Sequence, residues 1–67
     1  MKKTNRIDEL RKIKQLSYRD IAEKTGFSAT YIYLLAKCKR QNPSFTAMQK
    51  IATALGKKVE DVFIFND

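Results

Sequence analysis

Several kinds of chemistry are missing from this chain. It has no histidine and a single cysteine, so a zinc site of the usual His/Cys type is excluded, as is an internal disulfide. Cys38 reads as a free thiol, and a lone cysteine in a small basic chain fits a reducing, cytoplasmic compartment. Only two glycines are present, which leaves no glycine-rich phosphate loop. No nucleophile has a plausible base beside it, so the reading is of a non-enzyme without cofactor or metal. The pairs Asp8-Glu9 and Glu60-Asp61 read as charges at helix N-termini. No stretch approaches the ~20 apolar residues of a membrane span, and the charged start at Met1–Arg6 leads into no apolar run, so neither a signal peptide nor a membrane partner is expected.

Acidic residues are missing in one place above all. Seven acids face fourteen bases, and none of the seven lies between Lys24 and Val59. That stretch holds Lys24, Lys37, Lys39, Arg40, Lys50, Lys57 and Lys58. A one-signed segment inside a mixed chain points to a polyanion, although solvated surface lysines give the same composition.

What remains is helix-forming sequence in one short domain, residues 1–67. At this length only about 60% of the unfolded chain's surface is buried on folding, too little for a deep catalytic cleft beside a core. A first helix is expected over about 4–15, capped by Thr4, with Ile7, Leu10, Ile13 and Leu16 inward. Ser17 and Asp20 have the spacing of a capping box, opening a helix over about 18–25 whose inward residues are Ile21, Ala22 and Thr25, and Gly26 ends it. Ser28 opens the third helix, about 29–37, with Ile32, Leu35 and Ala36 facing inward beside Phe27. A basic loop from Cys38 to Pro43 follows. Ser44 caps a fourth helix, about 45–55, with Phe45, Met48, Ile51, Ala52 and Leu55 inward, closed by Gly56. The last helix, about 58–63, places Val59, Val62 and Phe63 on one face, and Val62-Phe63-Ile64-Phe65 reads equally as a helix end or a short strand. The fold class is therefore all-α, a compact five-helix bundle.

The segment from Ser17 to Ala36 carries the functional signal. A short helix, a glycine turn and a second helix at a steep angle let one helix cross the DNA backbone while the next enters the major groove. Small Ala22 permits close approach, Gly26 supplies a positive φ, and Phe27 and Ile32 fill the angle. Ser17 and Ser28 mark helix N-termini where phosphates can bind, and Lys37, Lys39 and Arg40 follow the third helix where they can neutralise more.

Beyond this geometry, the chain resembles the Xre/Cro-type helix-turn-helix regulators, which include phage repressors and many small bacterial regulators. The resemblance rests on Ile7, Leu10 and Arg11, the run from Leu16 to Ser28, Tyr31-Ile32 and Leu35, Asn42-Pro43-Ser44, the run from Ile51 to Gly56, and Glu60-Asp61-Val62-Phe63. It covers nearly the whole chain and is strongest to single-domain, SinR-like members with the same longer loop before Asn-Pro-Ser. It implies a lambda-repressor-like five-helix fold, a homodimer, and operator recognition on double-stranded DNA through the third helix. By position, Ala29, Thr30, Tyr33 and Leu34 would face base edges, with Tyr31 at the backbone or groove edge. Ser17, Tyr18, Ser28, Lys39, Arg40, Asn42 and Ser44 would lie near phosphates.

Three departures stand out. Tyr18 replaces a usual Gln, and Ala36 and Cys38 replace a common Glu and Gly, so the third helix is expected to end differently rather than force cysteine to a positive φ. The outward face of the third helix carries no Arg, Asn, Gln or Lys for bidentate base contacts; it suits thymine methyls and single hydroxyl bonds. The same face suits a protein partner, so an antirepressor or adaptor using Tyr31, Tyr33 and Leu34 is the alternative function. Val62, Phe63, Ile64 and Phe65 are the expected homodimer surface.

Overall fold

The structure, a computed structural model, describes residues 3–40 and 42–65, with the backbone alone at Lys3, Thr4 and Phe65. Among the described residues there are five helices: α1 (Ile7–Ile13), α2 (Tyr18–Thr25), α3 (Ala29–Ala36), α4 (Phe45–Ala54) and α5 (Val59–Val62). They are joined by an antiparallel ribbon of β1 (Lys3–Asn5) and β2 (Phe63–Phe65), in the register Lys3 to Phe65, Thr4 to Ile64 and Asn5 to Phe63. Ile7, Leu10, Ile21, Ile32, Leu35, Ile51, Ala52, Leu55, Val62 and Phe63 form one buried cluster shared by all five helices and β2. Among the described residues no helix is long and apolar enough to cross a membrane.

The start of α1 differs from expectation. Thr4 lies in β1 and does not cap the helix; the Ile7 amide donates to Asn5 Oδ1 at 3.1 Å, and the helix begins at Ile7. Thr and Asn are weak helix formers, and the β-branched and aromatic run at 63–65 offers them a ladder instead. The ribbon continues as the Arg6 amide donates to the Val62 carbonyl at 2.7 Å. Phe63–Phe65 is thus a strand, one of the two forms its sequence allowed.

Two expected core residues are exposed, for one reason. Ile13 and Phe45 are 68% and 60% exposed. Each lies six residues from a core position, Ile7 or Ile51, through two steps of three. At about 100° per residue that spacing ends about 120° from the buried face. In α4 the buried line is instead Ala47, Ile51 and Leu55, at intervals of four.

Three helices close in the same way. After α1, α3 and α4, residues Gln15, Cys38 and Gly56 take φ of 59°, 59° and 70°. The next amide reaches back to the carbonyl of the third-last helical residue: Leu16 to Arg11 at 2.9 Å, Lys39 to Leu34 at 2.9 Å and Lys57 to Ala52 at 2.9 Å. These are Schellman closures, and two of them use a residue with a Cβ where glycine is favoured. Cys38 therefore does adopt the positive φ that its side chain argued against. The bonds to Leu35 at 3.0 Å and Leu34 satisfy carbonyls that would otherwise be left open.

Candidate nucleic-acid interface

The sequence from Ser17 to Ala36 folds as two short helices about a sharp turn. Ser17 Oγ accepts from the Asp20 amide at 3.0 Å while the Ser17 amide donates to Asp20 Oδ2 at 2.8 Å, a complete capping box. These bonds to the ionised carboxyl hold Asp20 below its usual pKa. Gly26, at φ 84°, ends α2. Buried Thr25 fixes the turn from within: its hydroxyl donates to the Ile21 carbonyl at 2.8 Å and accepts from the Phe27 amide at 3.3 Å. Ser28 then caps α3 by accepting from the Tyr31 amide at 3.0 Å.

Ile32 and Leu35 anchor the inner side of α3 in the core, and that fixes what faces outward. Of the residues expected to face bases, Thr30 and Tyr33 are exposed and Ala29 and Leu34 are half-buried. Tyr31 packs sideways, its ring 5.1 Å from the Phe27 ring and under the Arg40 guanidinium at 5.3 Å. Lys50 Nζ lies 5.7 Å from the Phe27 ring on the α4 side. Ser17, Ser28 and Ser44 all cap exposed helix starts, and Ser44 accepts from the Ala47 amide at 3.1 Å. Lys39, Arg40 and Asn42 are exposed on the segment after α3.

Tyr18 and Lys37 are placed differently from the other residues expected at phosphates. Both point to Asp8, which in the sequence is simply a charge at a helix start. Asp8 Oδ1 accepts from Tyr18 Oη at 2.5 Å and from Arg11 Nε at 3.1 Å, and Lys37 Nζ lies 2.8 Å from Oδ2. Burial alone would raise the Asp8 pKa, but the bonds from Lys37, Tyr18 and Arg11 outweigh it and bring it to about 2. Desolvation and the bond to Asp8 push the Tyr18 phenol up, and the bond to Asp8 also raises Lys37. Arg11 lies over the Tyr18 ring at 4.3 Å and donates to the Leu16 carbonyl at 3.1 Å. One carboxylate thus ties α1 to the start of α2 and the end of α3. The i,i+3 spacing of Asp8 and Arg11 foreshadows half of this cluster; Lys37 is too distant in sequence to signal the rest.

Asn5 is a second residue missed from sequence. Its Nδ2 donates to the Leu35 carbonyl at 2.8 Å, which ties β1 to the last turn of α3. The expected dimer residues are divided: Val62 and Phe63 belong to the core, Ile64 is 38% exposed, and the Phe65 side chain lies outside the described residues. A groove of about 830 Å³ between the end of α2, α4 and the start of α5 gathers Lys24, Lys50, Lys57 and Lys58. It includes no residue of α3.

Known proteins match this arrangement along most of the chain. A family model described as the Cro/C1-type HTH DNA-binding domain matches residues 6–67. An uncharacterized HTH-type transcriptional regulator of Methanocaldococcus jannaschii is 36% identical over 94% of this chain and 94% of its own length. Two uncharacterized HTH-type transcriptional regulators of Archaeoglobus fulgidus are 37% and 36% identical, each over 92% of this chain and over 87% and 86% of their own lengths. These relatives are archaeal, whereas the resemblance noted from sequence is to phage and bacterial members. With its capped α2, glycine turn and outward-facing α3, the chain belongs to the Cro/C1-type helix-turn-helix family of DNA-binding domains.

Proposed function

We propose that this protein is a sequence-specific transcription regulator acting as a repressor, a cytoplasmic homodimer that covers a pseudo-palindromic operator. In this reading residues 1–67 form a single DNA-binding domain, and each subunit lays α3 in a major groove, with the two grooves about 34 Å apart. The observation that carries the reading is the setting of α3. Its inner face is locked by Ile32 and Leu35, its outer face presents Thr30 and Tyr33, and the acid-free segment supplies Lys39 and Arg40 beside it. Thr30 and Tyr33 offer hydroxyls and a methyl to base edges, while Ala29 and Leu34 offer apolar contact to thymine methyls. The serine-capped starts of α2, α3 and α4, with Lys39, Arg40 and Asn42, form the phosphate-facing set. No cofactor enters this reading; occupancy follows protein concentration or a protein partner.

The test is selection of bound duplexes from a random pool, followed by a salt series on the selected sequence. A regulator of this kind enriches a sequence with two related half-sites, and its log K falls steeply with log salt. A pool that stays random removes sequence-specific reading. A flat salt response removes duplex binding as well. The aromatic surface of Tyr33, 40% exposed, favours a protein-interaction module as the second reading. Under that reading Tyr33→Ala abolishes capture of a partner and leaves duplex affinity unchanged.

A further inference from the structure

We propose that Asp8 sets the protein's affinity for DNA by standing in for a backbone phosphate, its carboxylate holding Lys37 in a contact that duplex phosphates would otherwise take. The inference rests on the duplex-binding reading above. Asp8 receives an ammonium at 2.8 Å, a phenol at 2.5 Å and a guanidinium at 3.1 Å, from three different helices. That donor set is one that a phosphate's oxygens accept from, and Asp8 satisfies it from inside the chain.

The three donors are not equally free to leave. Arg11 is fixed by its bond to the Leu16 carbonyl, by its stacking on Tyr18 and by its small exposure. Lys37 is different. It caps the end of α3, its side chain is 42% exposed, and a flexible stem carries its charge. Among the described residues it is the one base of the acid-free segment that has an ion pair, and the acid comes from α1, outside that segment. Lys39 and Arg40, two and three residues on, have no such partner among the described residues.

Two consequences follow for binding. While Lys37 stays on Asp8 it releases no counterion when a duplex docks, so the salt dependence is shallower by about one phosphate contact. A duplex that does engage Lys37 must first break a half-exposed ion pair, which lowers affinity by about two- to fivefold. Asp8→Asn removes the charge but keeps an oxygen to accept from Tyr18 and Arg11, so the bonds among α1, α2 and the turn persist in neutral form.

The experiment measures fluorescence anisotropy of a labelled random-sequence duplex, about three helical turns long, across a salt series. It compares the native chain with Asp8→Asn, Lys37→Gln, the double variant and the charge-matched control Glu60→Gln, with folding followed by circular dichroism. The expected result is tighter binding by Asp8→Asn, about two- to fivefold, with a log–log salt slope steeper by about 0.9. In the Lys37→Gln background the gain shrinks to that of Glu60→Gln, which reports the net charge alone. The proposal is overturned if folded Asp8→Asn binds more weakly, if its gain survives loss of Lys37 in full, or if Glu60→Gln matches it. Should Asp8→Asn fail to fold, Lys37→Gln alone decides: an unchanged salt slope supports the proposal, and loss of a full contact overturns it. If the native chain and every variant ignore the duplex even at low salt, the DNA reading itself falls and this inference with it.

Discussion

The Tyr18 and Tyr33 rings meet edge to face, with centroids 5.5 Å apart and planes at 89°. The first residue of α2 thereby braces the exposed ring on the outer face of α3, while the Tyr18 hydroxyl reaches Asp8 and its own ring lies beneath Arg11. Tyrosine cannot copy the donor–acceptor pair of the amide common at this position, and here it braces α3 through ring contact instead.

Tyr18 therefore makes two separable contributions. Tyr18→Phe keeps the ring and loses the hydroxyl bond to a charged carboxylate, and stability is expected to fall by about 1 kcal/mol. Tyr18→Ala also loses the aromatic contacts with Tyr33 and Arg11, for a total of about 2–3 kcal/mol. Urea unfolding of both variants gives the comparison. Equal losses would show that the ring contact contributes nothing.

Acid stability reports on Asp8. Its carboxyl titrates at about 2 in the folded chain, below the roughly 3.9 of an unfolded aspartate. The folded state thus binds the proton more weakly, and the stabilisation is fully present above about pH 4 and is lost as pH falls toward 2. Asp20 and Glu9, also lowered, add to the fall in the same direction. The urea midpoint is expected to be level from neutral pH to about 4 and then to drop. In Asp8→Asn the curve starts lower and the drop is shallower. An equally deep drop in that variant would assign the acid transition to the other carboxyls.

Much of this fold follows from short-range chemistry that a sequence displays. Ser17, Ser28 and Ser44 each stand where an exposed hydroxyl meets an amide three residues on, and Gly26 stands where φ must be positive, so α2, α3 and the turn between them are legible residue by residue. The ribbon was half legible: β-branched and aromatic residues mark β2, but β1 exists only because β2 is there to pair with it. The links through Asp8 and Asn5 were hidden for the same reason. Each side chain finds its partner some thirty residues away, and neither Lys37 nor the Leu35 carbonyl carries a local sign of it. Spacing misled at Ile13 and Phe45, where three-residue steps were followed once too often around the helix.

Helix closure gives a prediction with two signs. Cys38 sits at φ 59°, where a Cβ costs on the order of 1 kcal/mol, and its thiol makes only a long contact, 3.9 Å, with Asn5. Cys38→Gly relieves that strain at some cost in unfolded-state entropy, for a net gain of up to about 1 kcal/mol, or several degrees in Tm. Gly26→Ala is expected to lose about 1 kcal/mol. Among the described residues, no atom beyond its chain neighbours lies within 4 Å of the added Cβ, so the loss would come from φ 84°. Thermal unfolding of the two variants decides the matter; a shift in the same direction for both would refute backbone strain as the cause.

Assembly is best tested at Ile64. Phe63 is buried, so a charge there disrupts the core and cannot separate dimerisation from folding; the same holds for Val62. Side chains alternate along a strand, which turns Ile64 to the opposite side of the ribbon from Phe63, and it is 38% exposed. Among the described residues β2 also has one outer edge with no strand beside it, a natural place for a second copy to pair. Under the homodimer proposal, Ile64→Asp sediments as a monomer with an unchanged circular dichroism spectrum, and its binding to a two-half-site duplex weakens far more than its binding to one half-site. A folded Ile64→Asp chain that still sediments as a dimer would remove the ribbon as the interface and leave exposed apolar residues elsewhere, Phe45 first among them, as the surface to test next.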